Sequence, residues 1–475
     1  MRKLKRQILR LHCLAVLDLA LLASGLAFGP ALAGNPDELD PDEIPGQADT
    51  IEDPASAGQP GGDCCADLAA RIAELEAATA KKPRGETEIT ITGAVDIGLL
   101  WIGDGGKPAA RLVDNANDGT SLSIEGETAR FGGGEWRIAF KIEMRVSGPS
   151  TDTLDQSGNQ SGDAPAFGLD LGDLNVAVTH VTYGTVTLGQ LGGVSDGALD
   201  ADLSSTEVVA GPQAADVGGG YWLRGATGDT TELKFADAFG HLGGLSGGGI
   251  RYDSPALGGF VLSAGALSGG GFDFGVDYQG TIAGLKLAAD AGFVADSGAD
   301  SGLPSNDALL GSFAVLEPRS GLNLMLAAGM RRYSGTSEYT DGSAGHLADE
   351  RFIYGKLGLL QRLVEFGDTA FYVEAGRFGG GIGRDVSPET IAGLAGIAVD
   401  DACSGAGFAC SVSASTADLI GLGIVQHVDS LGLQAYFGYR HQSVAIDLVD
   451  DAGTAIPNST ASQLDGVFAG VRIEF

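Results

Sequence analysis

Positive charge is scarce in this sequence of 475 residues. Only 29 Lys and Arg stand against 62 Asp and Glu, a formal net charge of −33. A nucleic-acid surface needs the opposite balance, so no nucleic-acid partner is expected. Charged residues total 19%, aromatics 7%, and there are 4 Met and 5 Cys. Beyond the N-terminal region no run of 18 consecutive apolar residues occurs, which excludes a later transmembrane helix. The groupings that catalysis requires are also missing. His12, His180, His241, His346, His427 and His441 form no defensible Ser-His-Asp or metal-ligand arrangement. The Gly clusters at 132–134 and 247–249 lack the following helix and Lys of a phosphate loop. No enzyme activity, cofactor or metal is expected.

Glycine is abundant, at 77 residues. It interrupts helices and supplies turn dihedrals, so many strands and turns fit this composition better than packed helices. The N-terminus has its own pattern. Arg2, Lys3, Lys5, Arg6 and Arg10 precede a mostly apolar stretch from Leu11 to Phe28, then Ala31-Leu32-Ala33 before Gly34. This reads as a secretory signal peptide, residues 1–33, with cleavage after Ala33. Asp18 in the apolar region leaves an uncleaved anchor as the alternative. Cleavage removes Asp18, five bases and Cys13, leaving 24 bases and 61 acids, a net −37. The remaining cysteines are Cys64, Cys65, Cys403 and Cys410. An exported protein can hold disulfides. Cys403 and Cys410 bracket a flexible stretch that a bridge would close into a small loop. Metal binding is the weaker reading, since no His partner stands nearby.

Residues 34–62 carry five prolines among many acids and few large apolar residues, the composition of an extended linker. Within 63–82 the pattern turns helical. Cys65, Leu68, Ile72, Leu75 and Thr79 follow a 3-4-3-4 spacing, a short helix with a coiled-coil seam. Packing of that helix on a neighbouring surface is the alternative to self-association. Lys81-Lys82-Pro83 ends it.

From residue 87 the period becomes two. Ile89, Ile91, Val95, Ile97, Leu99 and Trp101 share one face, with Glu88, Thr90, Thr92 and Asp96 on the other. In 135–146, Trp136, Ile138, Phe140, Ile142, Met144 and Val146 alternate with Glu135, Arg137, Lys141, Glu143 and Arg145. Such segments recur 16 times, near 87–101, 120–129, 134–147, 172–183, 185–191, 246–253, 259–267, 272–280, 284–294, 309–316, 322–332, 351–360, 369–377, 415–427, 432–445 and 464–475. Their connections alternate between short turns and long polar loops, 102–119 and 192–245 among the latter, with a short connection at 268–271 as the exception. Sorted connections and an even strand count point to an all-β fold: a closed, antiparallel transmembrane barrel over 87–475, apolar face toward lipid and polar face toward water. A soluble sheet with its apolar face inside is the competing arrangement. Trp101, Trp136, Tyr183, Phe260, Tyr439 and Phe475 are candidates for interfacial girdles.

Several ordered motifs resemble the general-diffusion porins of alphaproteobacteria. They are the helix Asp63 to Glu76, Ile91-Thr-Gly-Ala-Val-Asp96, Tyr183 to Gln190, Ser195 to Ala198, Ala201 to Ser204, Ile250 to Phe260, Gly421 to Gln426, Phe437 to Arg440 and Ala469 to Phe475. The resemblance implies a homotrimer of 16-stranded barrels in the bacterial outer membrane, open to ions and small hydrophilic solutes by passive diffusion. It departs at the long acidic linker, at the long 192–245 region, where an extra hairpin or helix has room, and at Gly189-Gln190, where the family more often has Arg.

The resemblance further implies that the third loop, 192–245, folds inward. Asp196, Asp200, Asp202 and Glu207 are then the constriction acids, opposed by Arg137, Lys141 and Arg145 on one strand face. Glu88, Asp96, Glu125 and Glu127 are candidate lumen-wall acids. The bland alternatives are solvated loop acids and bases paired locally with Glu135 and Glu143. The acidic balance gives an expectation of cation preference. A sugar- or anion-preferring channel and a β-rich surface adhesin are the other functional readings.

Overall fold

A computed structural model describes residues 87–158, 168–240, 243–298, 304–334, 337–338, 344–345, 348–383, 388–395, 411–449, 454–455 and 460–475. The expected signal peptide, acidic linker and 63–82 helix lie outside the described residues, as do Cys64, Cys65, Cys403 and Cys410.

One antiparallel sheet dominates. Its wall strands are β1 (Thr87–Gly103), β2 (in two segments, Ala109–Asp114 and Ser121–Thr128), β3 (Trp136–Ser147), β4 (Gly168–His180), β5 (Gly184–Gly192), β6 (Ser246–Asp253), β7 (Phe260–Leu267) and β8 (Gly271–Ile282). Then follow β9 (Leu285–Asp296), β10 (Asn306–Leu316), β11 (Leu322–Tyr333), β12 (Glu350–Val364), β13 (Gly367–Gly379), β14 (Ser411–Val428), β15 (Leu433–Val449) and β16 (Thr460–Glu474). Each pairs with its sequence neighbour, and β16 returns to β1 in register from Ala94–Glu474 to Gly103–Asp465. Seventeen hydrogen-bonded segments therefore make sixteen staves of a closed barrel, because β2 is interrupted. Closure leaves no open edge for lipid to meet. All sixteen periodic segments fall on these staves.

The interruption of β2 corrects the reading of 102–119 as one loop. Ala109–Asp114 pairs with the upper half of β1, and residues 115–120 then bulge away before the strand resumes. Asx and hydroxyl chemistry makes the bulge: the amide of Asn117 donates to Asn115 Oδ1 (3.0 Å), and the Thr120 hydroxyl donates to Asp114 Oδ1 (2.8 Å). Arg472 on β16 holds the bulge through Asp118 (3.1 Å).

The two faces meet different surroundings. Along β1, Ile89 (62%), Ile91, Val95, Ile97, Leu99 and Trp101 are exposed, while Ala94, Asp96, Leu100 and Ile102 are buried. The same alternation places Leu322, Leu324, Leu326, Ala328 and Met330 of β11 outward, with Arg332 bounding them. Ten residues of strand rise about 33 Å, and a tilt of about 40° reduces this to roughly 25 Å, the height of a barrel's apolar band. Aromatic residues collect where the belt ends. Trp136 meets His180 edge-on (4.6 Å between centroids), His180 stacks on Tyr183 (4.4 Å), Phe260 packs on Tyr278 (4.5 Å), and Phe475 is exposed. Tyr439 is only half-buried and donates to Asp465 (2.7 Å).

Apolar side chains are also buried inside the barrel, along one arc. Leu310, Met325, Phe352, Tyr354, Tyr372, Val425, Tyr436 and Phe468 on the inner wall form one cluster with Leu199, Val208, Val209, Val217, Leu223 and Phe235 of the segment after β5. The start of β1 and the strands beside it carry polar inner-face residues instead: Glu88, Thr90 and Thr92 of β1, Glu125 and Glu127 of β2, and Arg145 of β3 are all exposed, whereas Leu100 and Ile102 further along β1 belong to the buried cluster. Part of the interior is thus plugged by chain, and part is lined by exposed polar side chains.

Leu357, exposed in the middle of β12, tests the outward face. Leu357→Arg is expected to destabilise the folded barrel by about 2–4 kcal/mol in lipid, against little change for Leu357→Met. Urea titration of the protein in vesicles measures both.

Candidate channel constriction

The chain leaves β5 at Gly192 and turns into the lumen, where Gly193 N donates to Leu245 O (2.7 Å) and ties the neck of the loop. Peptide groups inside a barrel need partners as much as those in its wall. Inner-wall side chains supply them in sequence. Asp273 on β8 accepts from Ser195 N and Oγ (2.9 Å each). Ser312 on β10 accepts from Ala201 N (3.0 Å) and donates to Ala198 O (2.9 Å). Lys356 on β12 donates to Ala210 O (3.0 Å) and pairs with Asp202. Arg440 on β15 donates to Gly211 O (3.2 Å) and to Glu374 (2.8 Å), which also accepts from Tyr354 OH (2.6 Å). Gln442 reaches Ala214 O (3.1 Å) and Val217 O (2.9 Å). The loop continues into a short hairpin, Trp222–Arg224 with Thr230–Lys234, and the helix α1 (Phe235–Phe239). Ser462 on β16 anchors the hairpin through Arg224 N (2.9 Å) and O (2.8 Å).

Three acids project from the loop's other side. Asp196, Asp200 and Glu207 are exposed, while Val194, Ser195, Ala198, Leu199, Val208 and Val209 beside them are buried. Their carboxylates reach lumen water, yet loop and wall atoms ring them and withdraw much of the bulk solvent. That desolvation raises all three above the ordinary carboxylate range. Arg145 opposes the rise at Asp196, Asp196 adds to it at Asp200, and Asp202 adds to it at Glu207. Asp216, half-buried on the same loop, is pushed up to about 8 by burial, against the pull of Arg440. Asp200, Glu207 and Asp216 border a cavity of about 430 Å³ with Asn117, Gln213 and Met325.

Asp202 does not belong with them. Its side chain is 6% exposed and pairs with Lys356, itself fully buried, so it anchors the loop at the edge of that cavity. Asp96 is a second correction. It is 0% exposed behind the 115–120 bulge, accepting from Tyr436 OH (2.5 Å) and Asn115 Nδ2 (2.8 Å). Periodicity gave its face rightly but carried no sign of the cover. Glu88, Glu125 and Glu127 sit low on the open arc, Glu88 directly opposite Glu127.

The three wall bases pair locally, though with other partners besides Glu143. Arg137 meets Glu127 (3.1 Å), Lys141 meets Glu143 (2.6 Å) and Asp173 (2.9 Å), and Arg145 meets Glu143 (2.5 Å). Of the three, Arg145 also acts on Asp196, joined by Arg251 of β6. Arg251 pairs with Asp253 (2.8 Å) and donates to Gly193 O (3.2 Å). Sequence reasoning missed Arg251, Asp173 and Lys356, and also Asp277 and Asp290, directly opposed on β8 and β9. Alternation within Ile250-Arg-Tyr-Asp253 held the signal for Arg251. Nothing local marked Lys356. Among the described residues no group of three or more His, Cys, Asp or Glu is placed to hold a metal.

No protein-family profile and no curated protein matches the sequence. Solved structures do. An anion-selective porin from Comamonas acidovorans shares 16% identity over 82% of this chain and 100% of its own, with a TM-score of 0.47. OmpF of Salmonella typhi, in complex with daunomycin, shares 11% over 82% and 97%, TM-score 0.46. The outer-membrane channel DcaP of Acinetobacter baumannii shares 11% over 82% and 97%, TM-score 0.44. Closure, belt and inserted loop define, from this chain's own geometry, a membrane-spanning β-barrel with a narrowed aqueous lumen.

Two outcomes are expected. Lys356→Met strands a buried Asp202 and costs about 3–5 kcal/mol, most of it recovered in Lys356→Met/Asp202→Leu; urea midpoints in detergent report both. Protonation discharges Asp196, Asp200 and Glu207, and their raised values mean this begins above the usual carboxylate range of about 4. Cation preference therefore falls as pH is lowered, starting above that range, and reversal potentials across a pH series read it.

Proposed function

We propose that the chain is an outer-membrane porin, a passive channel for ions and small hydrophilic solutes that favours cations and works as a homotrimer. The basic N-terminus and Ala31-Leu32-Ala33 support export to the outer membrane. An apolar belt around a wet inner arc supports a water-filled channel there. The observation that carries cation preference is the unequal pairing of lumen charges. Arg137, Lys141, Arg145 and Arg251 each stand within an ion pair, whereas among the described residues none pairs with Asp196, Asp200 or Glu207. A cation passing the loop lies within a Debye length, about 8 Å at physiological salt, of those acids. Weak, water-shared attraction suits permeation, which requires release as easily as entry. The ordered motifs that resemble alphaproteobacterial porins support the trimer.

Planar-bilayer recording under a KCl gradient tests the reading. Reversal toward the cation potential and three equal conductance steps per insertion are expected. Asp196→Asn/Asp200→Asn is expected to reduce cation preference while preserving the steps. Anion-favouring reversal of the unaltered protein overturns the charge argument, and absence of conductance overturns the channel.

A further inference from the structure

β2 carries more chain than β1 can pair. Ile97 lies opposite Asp114 and Ala94 opposite Ser121, so residues 115–120 answer only Val95 and Asp96, a surplus of four. At membrane depth surplus chain can leave the wall only inward, where water or protein completes its peptide groups. There it is fastened on three sides. Beneath it, Thr120 Oγ1 accepts from Asp96 N (3.0 Å) in place of a strand partner, and Arg472 holds Asp118 (3.1 Å). Ahead of it, the buried Asn115 donates through Nδ2 both to Asp96 (2.8 Å) and to Val208 O of the third loop (2.7 Å). Beside it, Thr151 Oγ1 accepts from Ala116 N (3.0 Å), Thr151 N donates to Asp114 O (3.1 Å), and Thr151 O accepts from Gly218 N of the third loop (2.8 Å). Bulge and third loop are therefore joined directly, and again through Thr151.

Core packing does not account for the bulge. Residues 115–120 read Asn-Ala-Asn-Asp-Gly-Thr, with no apolar side chain larger than Ala to bury. A cavity opens on each side of it. One, of about 410 Å³, lies between the bulge and Glu143, Arg145 and Asp152. The other, of about 430 Å³, sets Ala116 and Asn117 together with Asp200, Glu207, Gln213 and Asp216 of the third loop. No Lys, Arg or His lines this second cavity among the described residues. Asn117 Nδ2 donates to Asn115 Oδ1 (3.2 Å), which leaves Asn117 Oδ1 as an acceptor on the bulge. We infer that the β2 bulge is a second, fixed jaw of the constriction, and that Asn117 on it acts with the loop acids to set which solutes pass. This rests on the channel of the proposed function and adds a wall-borne element to the loop that narrows it. Amide and carboxylate oxygens on opposing elements share the water of a passing cation without holding it, which keeps exit as easy as entry. An anion meets oxygen from both. A bulge latched to wall and loop does not yield to a larger solute, so it also limits size.

The test uses the full-length protein in planar bilayers. Asn117→Cys is treated with a methanethiosulfonate that carries a quaternary ammonium group, and the wild-type protein, which has cysteines of its own, is the control. Modification is expected to lower single-channel conductance and cation preference in the variant beyond any change in the wild type. A Cys at 117 that labels by mass and alters neither, or that does not label in the open channel, overturns the inference. A second variant lacks residues 116–119, which leaves Asn115 opposite Asp96 and Thr120 opposite Val95 and makes β2 continuous. Its conductance is expected to rise severalfold, and larger sugars are expected to enter vesicles that contain it. Wild-type conductance and an unchanged sugar limit after the deletion overturn the inference; if the shortened chain does not fold, the cysteine variant decides. Either failure beside a conducting wild type leaves the channel standing, whereas a wild type without conductance removes the channel and the jaw together.

Discussion

Hydrocarbon offers no hydrogen bonds, so every peptide group at membrane depth must find its partner within the protein. This constraint organises the rest of the molecule. It forces β16 back onto β1, and it tolerates an irregular segment at that depth only inside the barrel. There the wall's polar side chains complete the loop's peptide groups, as Lys356, Arg440 and Gln442 do for the stretch from Ala210 to Val217. A buried Lys and Arg on an inner barrel wall look out of place until the loop that they satisfy is considered with them.

Filling one arc leaves the passage on the other. The loop turns Val194, Leu199, Val208 and Val209 onto the wall and points Asp196, Asp200 and Glu207 into water. Apolar contact holds the loop down, and the acids it displays gain influence because surrounding protein has thinned the solvent near them. Anchor and selectivity surface are two sides of the same short segment. A buried apolar cluster inside the barrel therefore does not make it a soluble β protein. The cluster sits between wall and insert, while the belt outside remains exposed.

Much of this was legible in sequence. Period-two alternation found all sixteen staves, since one face must be apolar whichever solvent it meets, and the sorting of short and long connections chose lipid as that solvent. The first half of β2 was lost because Ala109-Ala-Arg-Leu-Val113 is too short to establish a period before the Asx bulge breaks it. Arg145 was placed on the correct face. Asp96 was given to the lumen because alternation reports which way a side chain points and says nothing of what lies on top of it, and Asp202 because the resemblance assigned the loop's acids as a group without showing which of them turn back to the wall.

The sequence by itself determined the strands, their faces and the excess of acid, because these follow from nearest-neighbour periodicity and composition. Tertiary structure decided which acids meet water. That depended on a loop crossing the interior to touch β8, β10, β12 and β15, residues up to 229 positions apart in the chain, and on how a closed wall brings their side chains to it. Such contacts leave no local pattern, since the physics that selects them acts through space and not along the backbone.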